Sequence, residues 1–382
     1  MEIPFHRPHI TDSDIDAVSN CLRNGWLTMG KKTIEFETRF SRYTGSAHAV
    51  AVNSCTAALH LALKCCGCGP GDEVIIPAVT FAATAEVVTY FGAKPVMADI
   101  EKDTHLIDVS SIEKNITGKT RAIIPVHYSG QPADMDSIMD LARSRGLTVI
   151  EDAAHALPAR YRNRMIGSIG DITCFSFYAT KPLTTGEGGM ATTENPDWAE
   201  RMRVLRLHGI SSHAWQRYSV RGAWQYDVTD AGYKYNTTDI SSSLGLEQLI
   251  KADRLNSLRA NIAERYNSAF SSRNEFLPYS VLADRETSWH IYPLRLNIDA
   301  LDIDRDDFIV ELSKRKIGTS VHFIPLYRFS YYHELGYSAE EYPWSEWVFA
   351  RTLSLPIYPG MTDAEVDFVI NNVIDIAEGH RR

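Results

Sequence analysis

The chain has 382 residues, a formal net charge of -9, 44% hydrophobic and 10% aromatic residues. That composition excludes disordered and fibrous classes, and the length accommodates one large domain and one smaller one, each with a core. An acidic balance without a block of like charge excludes nonspecific nucleic-acid binding, which needs clustered Lys and Arg, but leaves room for one basic phosphate pocket.

From the N-terminus, MEIPFHRPHITDSD shows no basic segment followed by an apolar run, and no apolar stretch reaches membrane-spanning length. A cytoplasmic protein without membrane contact is expected. Thr11 opens a helix with Asp14 three residues on, a variant of the capping box, and that helix ends near Gly25. A second helical pattern runs over 32–43 and stops at Gly45. Strand candidates follow at 48–52 (HAVAV), 73–77 (EVIIP), 95–99 (PVMAD), 121–126 (RAIIPV) and 147–152 (LTVIED). Helical stretches at 56–66, 81–91, 108–115 and 135–145 separate most of them. Such continuous apolar runs imply strands buried on both faces, and the alternation with helices predicts an α/β fold with a mostly parallel central sheet.

Two further strands, ITCFSF and GGMATT, follow Gly170, and residues 211–235 read as a long loop. The pattern over 239–270 is strongly helical, and a domain boundary is expected inside it, with a large domain over 1–255 and a small α+β domain over 256–382. The small domain offers strand candidates IYPLRLNI and GTSVHFIPL. Of six cysteines, Cys65, Cys66 and Cys68 crowd into KCCGCG; with no second Cys/His cluster at a partner spacing, they read as small apolar residues at a helix end rather than a metal site.

Polar residues gather at the carboxyl ends of the strands, where open α/β sheets bind ligands. Asn53-Ser54-Cys55-Thr56-Ala57 opens a helix, whose free N–H groups and dipole suit a phosphate or simply need an N-cap. Phe81 opens the next helix, either as core or as a stacking face for a planar ring. Glu151 and Asp152 end a buried strand, where two carboxylates are costly unless paired. Asp152 facing a protonated pyridine nitrogen, with His155 beside the ring oxygen, meets that need; a helix cap meets it too. Lys181 lies in FSFYATKPLTTGEGGM, a neutral stretch of Thr, Ala and Gly with no reason for a solvated charge. A lysine that attacks a carbonyl must lose its proton, which burial favours. Ser176 stands five residues earlier as a possible phosphate donor.

Nine segments in order along the chain, among them WLTMGKK, NSCTAALH, VIEDAAHA, FSFYATKPLTTGEGGM and GYKYNTTDI, resemble the DegT/DnrJ/EryC1/StrS family of sugar-nucleotide aminotransferases, fold type I pyridoxal-phosphate enzymes. The resemblance implies that Lys181 forms the Schiff base with pyridoxal 5'-phosphate and then moves the proton. It implies Asp152 as partner of the pyridine nitrogen, His155 beside the ring oxygen, and Phe81 stacked on the ring. Thr56, Ala57 and Ser176 match phosphate ligands. Asn236 matches a residue given by the neighbouring subunit, which implies a homodimer with shared active sites. His322, Tyr178 and Thr28 fall near the substrate. Cys55 departs from the Gly or Ala usual before Thr56. Members that dehydrate sugars carry His where this chain has Lys181. The resemblance further implies a ping-pong exchange between L-glutamate/2-oxoglutarate and a nucleotide-diphosphate keto sugar. The stretch TTGEGG and the run IIPVHYSGQPADM look nearest to members that aminate carbon 4, in particular those making UDP-4-amino-4-deoxy-L-arabinose. The alternatives are a 3-keto sugar aminotransferase, a noncatalytic cofactor-binding regulator and a sugar dehydratase.

Overall fold

Apolar runs without polar alternation need cover on both faces, and here seven of them share one sheet. The structure, a computed structural model, describes residues 1–211 and 226–382, so most of the expected loop at 211–235 lies outside the described residues. In chain order the strands are β1 (His48–Val52), β2 (Glu73–Pro77), β3 (Lys94–Ala98), β4 (Thr120–Ile123), β5 (Thr148–Asp152), the short β6 (Arg160–Tyr161) and β7 (Arg164–Met165), β8 (Ile172–Ser176) and β9 (Gly189–Thr193). The large sheet runs β1-β9-β8-β5-β4-β2-β3. Its pairs are parallel except where β9 runs against β1 and β8.

Successive side chains of a strand point to opposite faces, and the two cores follow that alternation. Val74 and Ile76 of β2 join one core with the helix Cys55–Cys65; Ile75 joins the other with Phe36, Phe40 and Ile138. The expected helices are present as Asp12–Asn24, Lys31–Thr44, Cys55–Cys65, Ala82–Thr89, Val109–Asn115 and Met135–Arg145. The first starts as its sequence suggests: the Thr11 N–H donates to the Asp14 carboxylate at 2.7 Å, and Gly25 ends it with φ 77°.

Beyond the 32-residue helix Asp239–Phe270, the strands β10 (Phe276–Leu277), β12 (Tyr292–Leu296) and β13 (Thr352–Leu355) form an antiparallel sheet, while β11 (Arg285–Glu286) pairs with β6. One expectation fails here. GTSVHFIPL forms no strand and meets the sheet at Ser354, through a backbone bridge from Ser320 and the His322 side chain; β13 takes the place expected for it. Pro325 has no N–H to give a ladder, and Leu326 N–H bonds the Ala78 carbonyl at 2.9 Å. The segment thereby crosses to the ends of the large sheet's strands, carrying His322 and Phe323 with it. Among the described residues no helix is long and apolar enough to cross a membrane.

Candidate active site

Strand alternation separates the two carboxylates that end β5. Glu151 turns to the face of Val149 and is fully buried. It accepts from His127 Nε2 at 2.8 Å, Gly170 N–H at 2.8 Å and Thr173 Oγ1 at 2.5 Å. Because Ala133 N–H donates to His127 Nδ1 (3.1 Å), the ring's hydrogen sits on Nε2 and goes to Glu151. Burial pulls the Glu151 carboxyl up, but these donors outweigh it and hold the group below its ordinary range. Asp152 turns to the opposite face, toward the helix Cys55–Cys65. Its Oδ2 accepts from Thr84 Oγ1 at 2.8 Å and its Oδ1 from Ala154 N–H at 3.1 Å. Burial dominates there and pushes its carboxyl up, against the pull of those donors and of Lys181.

A cavity of about 360 Å³ opens beside Asp152, and Thr56, Phe81, His155, Ser176, Tyr178, Lys181 and His322 line it. All but His322, which the strandless segment after Gly318 carries in, come from a strand end or the stretch after it. Thr56 follows β1 in the first turn of its helix, where Ser54 caps the Ala57 N–H at 3.1 Å. Gly189, at the start of β9, lies so near this turn that an added Cβ would stand 2.4 Å from the Ser54 carbonyl carbon. Phe81 caps the helix Ala82–Thr89 and is 63% exposed, with its ring 6.1 Å from Phe323. An aromatic this open is not core.

Lys181 follows β8 in a turn closed by its own N–H on the Tyr178 carbonyl (2.9 Å). Burial lowers its amine to about 8, against the opposing pull of Asp152 and then Cys55. Its Nζ lies 3.4 Å from His290 Nε2. His155, His290 and His322 surround it. Burial first, then the Lys181 charge, pushes each imidazole down, His322 to about 4. The cavity wall is therefore made of neutral rings at ordinary pH.

Three expected residues stand away from the cavity within this chain. Ala57 is buried behind the helix start, its N–H already given to Ser54. Asn236 pairs with Val52 through the backbone, and its amide donates to the Thr237 carbonyl at 2.9 Å. Thr28 is exposed and pairs with Thr238. Asn236 and Thr28 thus sit on one stretch of surface near the start of the helix Asp239–Phe270. Conversely, His290, Phe323, Glu187 and Thr80 line the cavity and were not singled out from the sequence. His290 had a signal: a polar residue inside the apolar run WHIYPL is costly to bury without a task. Thr80 and Thr84 had another, two hydroxyls four residues apart across a helix start; they meet at 2.8 Å behind Asp152.

This geometry fits pyridoxal phosphate. A buried carboxylate held at unfavourable cost calls for a cation such as a pyridinium, and His155 Nδ1, buried, finds no partner among the described residues. Comparison with known proteins agrees. The sequence profile of the DegT/DnrJ/EryC1/StrS aminotransferase family matches residues 8–374. The chain is 50% identical over 380 residues to the protein MJ1066 of Methanocaldococcus jannaschii, covering 99% of this chain and 98% of that one. It is 47% identical over 379 residues to SpsC of Bacillus subtilis, a spore coat polysaccharide biosynthesis protein, covering 99% and 97%. Among solved structures, Spr1654 of Streptococcus pneumoniae, assigned as a sugar aminotransferase, superposes in its pyridoxal-phosphate form with a TM-score of 0.92 at 37% identity, over 99% of both chains. Its pyridoxamine-phosphate form gives 0.93 at 38% identity, over the same shares.

Proposed function

Because this chain belongs to the DegT/DnrJ/EryC1/StrS aminotransferase family, and so is a fold type I, pyridoxal-phosphate-dependent sugar aminotransferase, we propose that it moves the amino group of L-glutamate to the 4-keto carbon of a nucleotide-linked sugar in two half-reactions. The choice of carbon 4 rests on the TTGEGG stretch and on the runs that look nearest to the 4-amino-sugar makers. A product destined for a surface glycan is supported by the kinship with SpsC, a spore coat polysaccharide biosynthesis protein.

Bound pyridoxal phosphate supplies a carbonyl that condenses with amines and a protonated ring that takes up the electron pair of a broken C–H bond. The chain's own groups do the rest. Asp152, its carboxylate fixed by Thr84 and Ala154, would hold the proton of the ring nitrogen. Phe81 would stack on the ring and His155 would bond the ring oxygen. Thr56 and Ser176 would hold the phosphate at the helix start, where N–H groups and the dipole favour an anion. Lys181 Nζ would take the proton from the donor's α-carbon, a task matched to a buried amine lowered to about 8. Tyr178, Thr28 and His322 contact the sugar nucleotide, and Asn236 with Thr28 serves the site of the second subunit of a homodimer. Placement of both on one surface, away from their own cavity, supports that sharing.

The single observation that carries this reading is that Lys181 and the buried carboxylate of Asp152 line one cavity, together with His155, whose buried Nδ1 has no partner among the described residues. Visible absorption tests it. The purified protein with pyridoxal phosphate should show the band of lysine-bound cofactor, and L-glutamate alone should convert it to that of pyridoxamine phosphate. A panel of 4-keto and 3-keto sugar nucleotides should then restore the first band with the 4-keto set. Restoration by the 3-keto set alone refutes the choice of carbon, and a band unmoved by glutamate refutes the donor.

A further inference from the structure

His290 is within 3.4 Å of the Lys181 amine, and nothing in the half-reactions above uses it. It lies between β11 and β12, on a backbone held unusually firmly to the turn after β4. His290 N–H bonds the Ser129 carbonyl at 3.0 Å, Ser129 Oγ donates to the Ile291 carbonyl at 2.7 Å, and Ser288 N–H reaches the Gly130 carbonyl at 3.4 Å. Ser288 Oγ also donates to the His155 carbonyl. Two non-glycine residues here adopt left-handed backbone, Trp289 with φ 47° and Ser129 with φ 60°. At Gly130, a Cβ would stand 1.8 Å from Ser288 Oγ. Non-glycine residues keep such conformations only where the surroundings over-determine them, and they cluster at functional sites.

The outcome of that restraint is one imidazole set against one amine. His290 Nε2 lies 3.4 Å from Lys181 Nζ, and the His155 ring packs against it with centroids 4.3 Å apart. Its Nδ1 is buried with no hydrogen-bond partner among the described residues. The charged and titratable groups that face it are Lys181 after β8, His155 after β5, His322 from the small unit, and Arg259 of the long helix. His6, from the N-terminal segment, faces Lys181 and Arg259 and bonds the Ala179 carbonyl. Asp152 faces Lys181 from the other side. Deeply buried, with the cations Lys181 and Arg259 facing it, His290 remains neutral, so toward a lysine N–H it acts as an acceptor.

We propose that His290 is a positioning residue for Lys181: its Nε2 accepts a hydrogen bond from Nζ and holds the amine aimed into the cavity whenever that nitrogen is not bonded to cofactor. The proposal rests on Lys181 being the cofactor-bearing amine. A neutral acceptor suits the task, because it directs the nitrogen without fixing a charge on it. Misplacing a reacting nitrogen by about 1 Å costs on the order of 100-fold in rate.

The test compares the parent with His290→Leu, His290→Gln and His290→Asn, and with Lys181→Ala as the blank. Cofactor-free protein is mixed with pyridoxal phosphate over a range of pH, and the rate of the absorbance change is followed. The parent rate should rise with a midpoint near the lysine value of about 8 and level off. His290→Leu should lower the plateau about 10-fold or more and move the midpoint down, since the ammonium loses an acceptor that favoured it. Gln, whose amide oxygen reaches the place of Nε2, should restore both to within about threefold. Asn keeps the polarity but is one methylene shorter, and should follow Leu. The glutamate half-reaction with α-deuterated donor should show a larger isotope effect in Leu and Asn than in the parent or Gln. A Leu variant equal to the parent in plateau and midpoint overturns the proposal. So does a Gln variant as slow as Leu or Asn, which would mark a packing role. If Leu does not fold, the contrast of Gln with Asn decides alone. A blank that behaves as the parent would overturn the assignment of Lys181 itself, a failure visible apart from the His290 results.

Discussion

Asp152 concentrates the conflict between folding and function in one side chain. Burial raises its carboxyl above the usual value of 3.8, against Thr84, Ala154 and Lys181. A folded-state value above the unfolded one means that the folded chain binds this proton more tightly. The carboxylate's charge therefore costs stability as pH rises from the unfolded value through the folded one. In cofactor-free protein, Asp152→Asn should melt at the parent's temperature near pH 4 and above it near pH 7. With pyridoxal phosphate bound the order should reverse near pH 7, because only the carboxylate pairs with a pyridinium. Differential scanning calorimetry at both pH values, with and without cofactor, reads this directly; a cofactor-free Asn variant that melts lower at pH 7 would show that Asp152 carries no such cost. Lys181, Asp152 and Phe81 were legible as candidates because each breaks or strains a local rule: a lysine in neutral surroundings, carboxylates after a buried strand, an aromatic opening a helix; His155 was read only from its place three residues after Asp152. His290 carried only the faint signal of a polar residue in an apolar run, and its proximity to Lys181 comes from a chain crossing that no local pattern encodes.

At the scale of elements, β5 shows how a period of two assigns roles. Glu151 and Asp152 are adjacent in sequence, yet one is sealed among His127, Gly170 and Thr173 while the other faces the cavity. Glu151 fixes the strand end that carries Asp152. Replacing a buried acceptor of three hydrogen bonds by an amide leaves donors facing an N–H, so Glu151→Gln should lower stability by about 3 kcal/mol near pH 7. The sign of its pH dependence follows from a folded value below the ordinary 4.5: the stabilisation is present above the unfolded value and lost as pH falls through the folded one. Urea midpoints of parent and variant should therefore converge as pH falls below about 4.5, and a gap constant from about pH 5 down to about pH 2.5 would contradict a charged Glu151. The strands and helices of the large sheet could be read almost to the residue, because strands covered on both faces announce themselves as unbroken apolar runs. GTSVHFIPL misled for a physical reason: its polar and apolar residues alternate as in an edge strand, but only Ser320 pairs with the small sheet, and from His322 on its backbone partners are Tyr128 and Ala78 in the large sheet's layer.

Across the whole molecule, we divide the chain near residue 255, inside the helix Asp239–Phe270. A separate core that gathers Ile262, Tyr266, Leu294, Leu353 and Val369 supports that division, although Leu326, Tyr327, Tyr332, Tyr337 and Tyr342 pack with the large sheet. What a sequence read chain by chain cannot supply is the second subunit, since self-complementary surfaces leave no periodic trace; only the resemblance pointed to one. The geometry makes the claim testable. If Asn236 serves the partner's phosphate, then Lys181→Ala and Asn236→Asp remove parts of one site that come from two chains. Asn236→Asp alone should lose about 100-fold or more, because a carboxylate would face the phosphate. Neither variant should be active by itself. Co-refolded in equal amounts, random pairing makes half of the dimers hybrids. Each hybrid has one site with both lesions and one with neither, so about a quarter of the parental activity should return. If both residues instead serve the same chain's cavity, every site in the mixture carries a lesion and nothing returns. Recovery near a quarter, read as amino-sugar formed per milligram of mixed protein, therefore separates a shared site from a private one without any structure of the dimer.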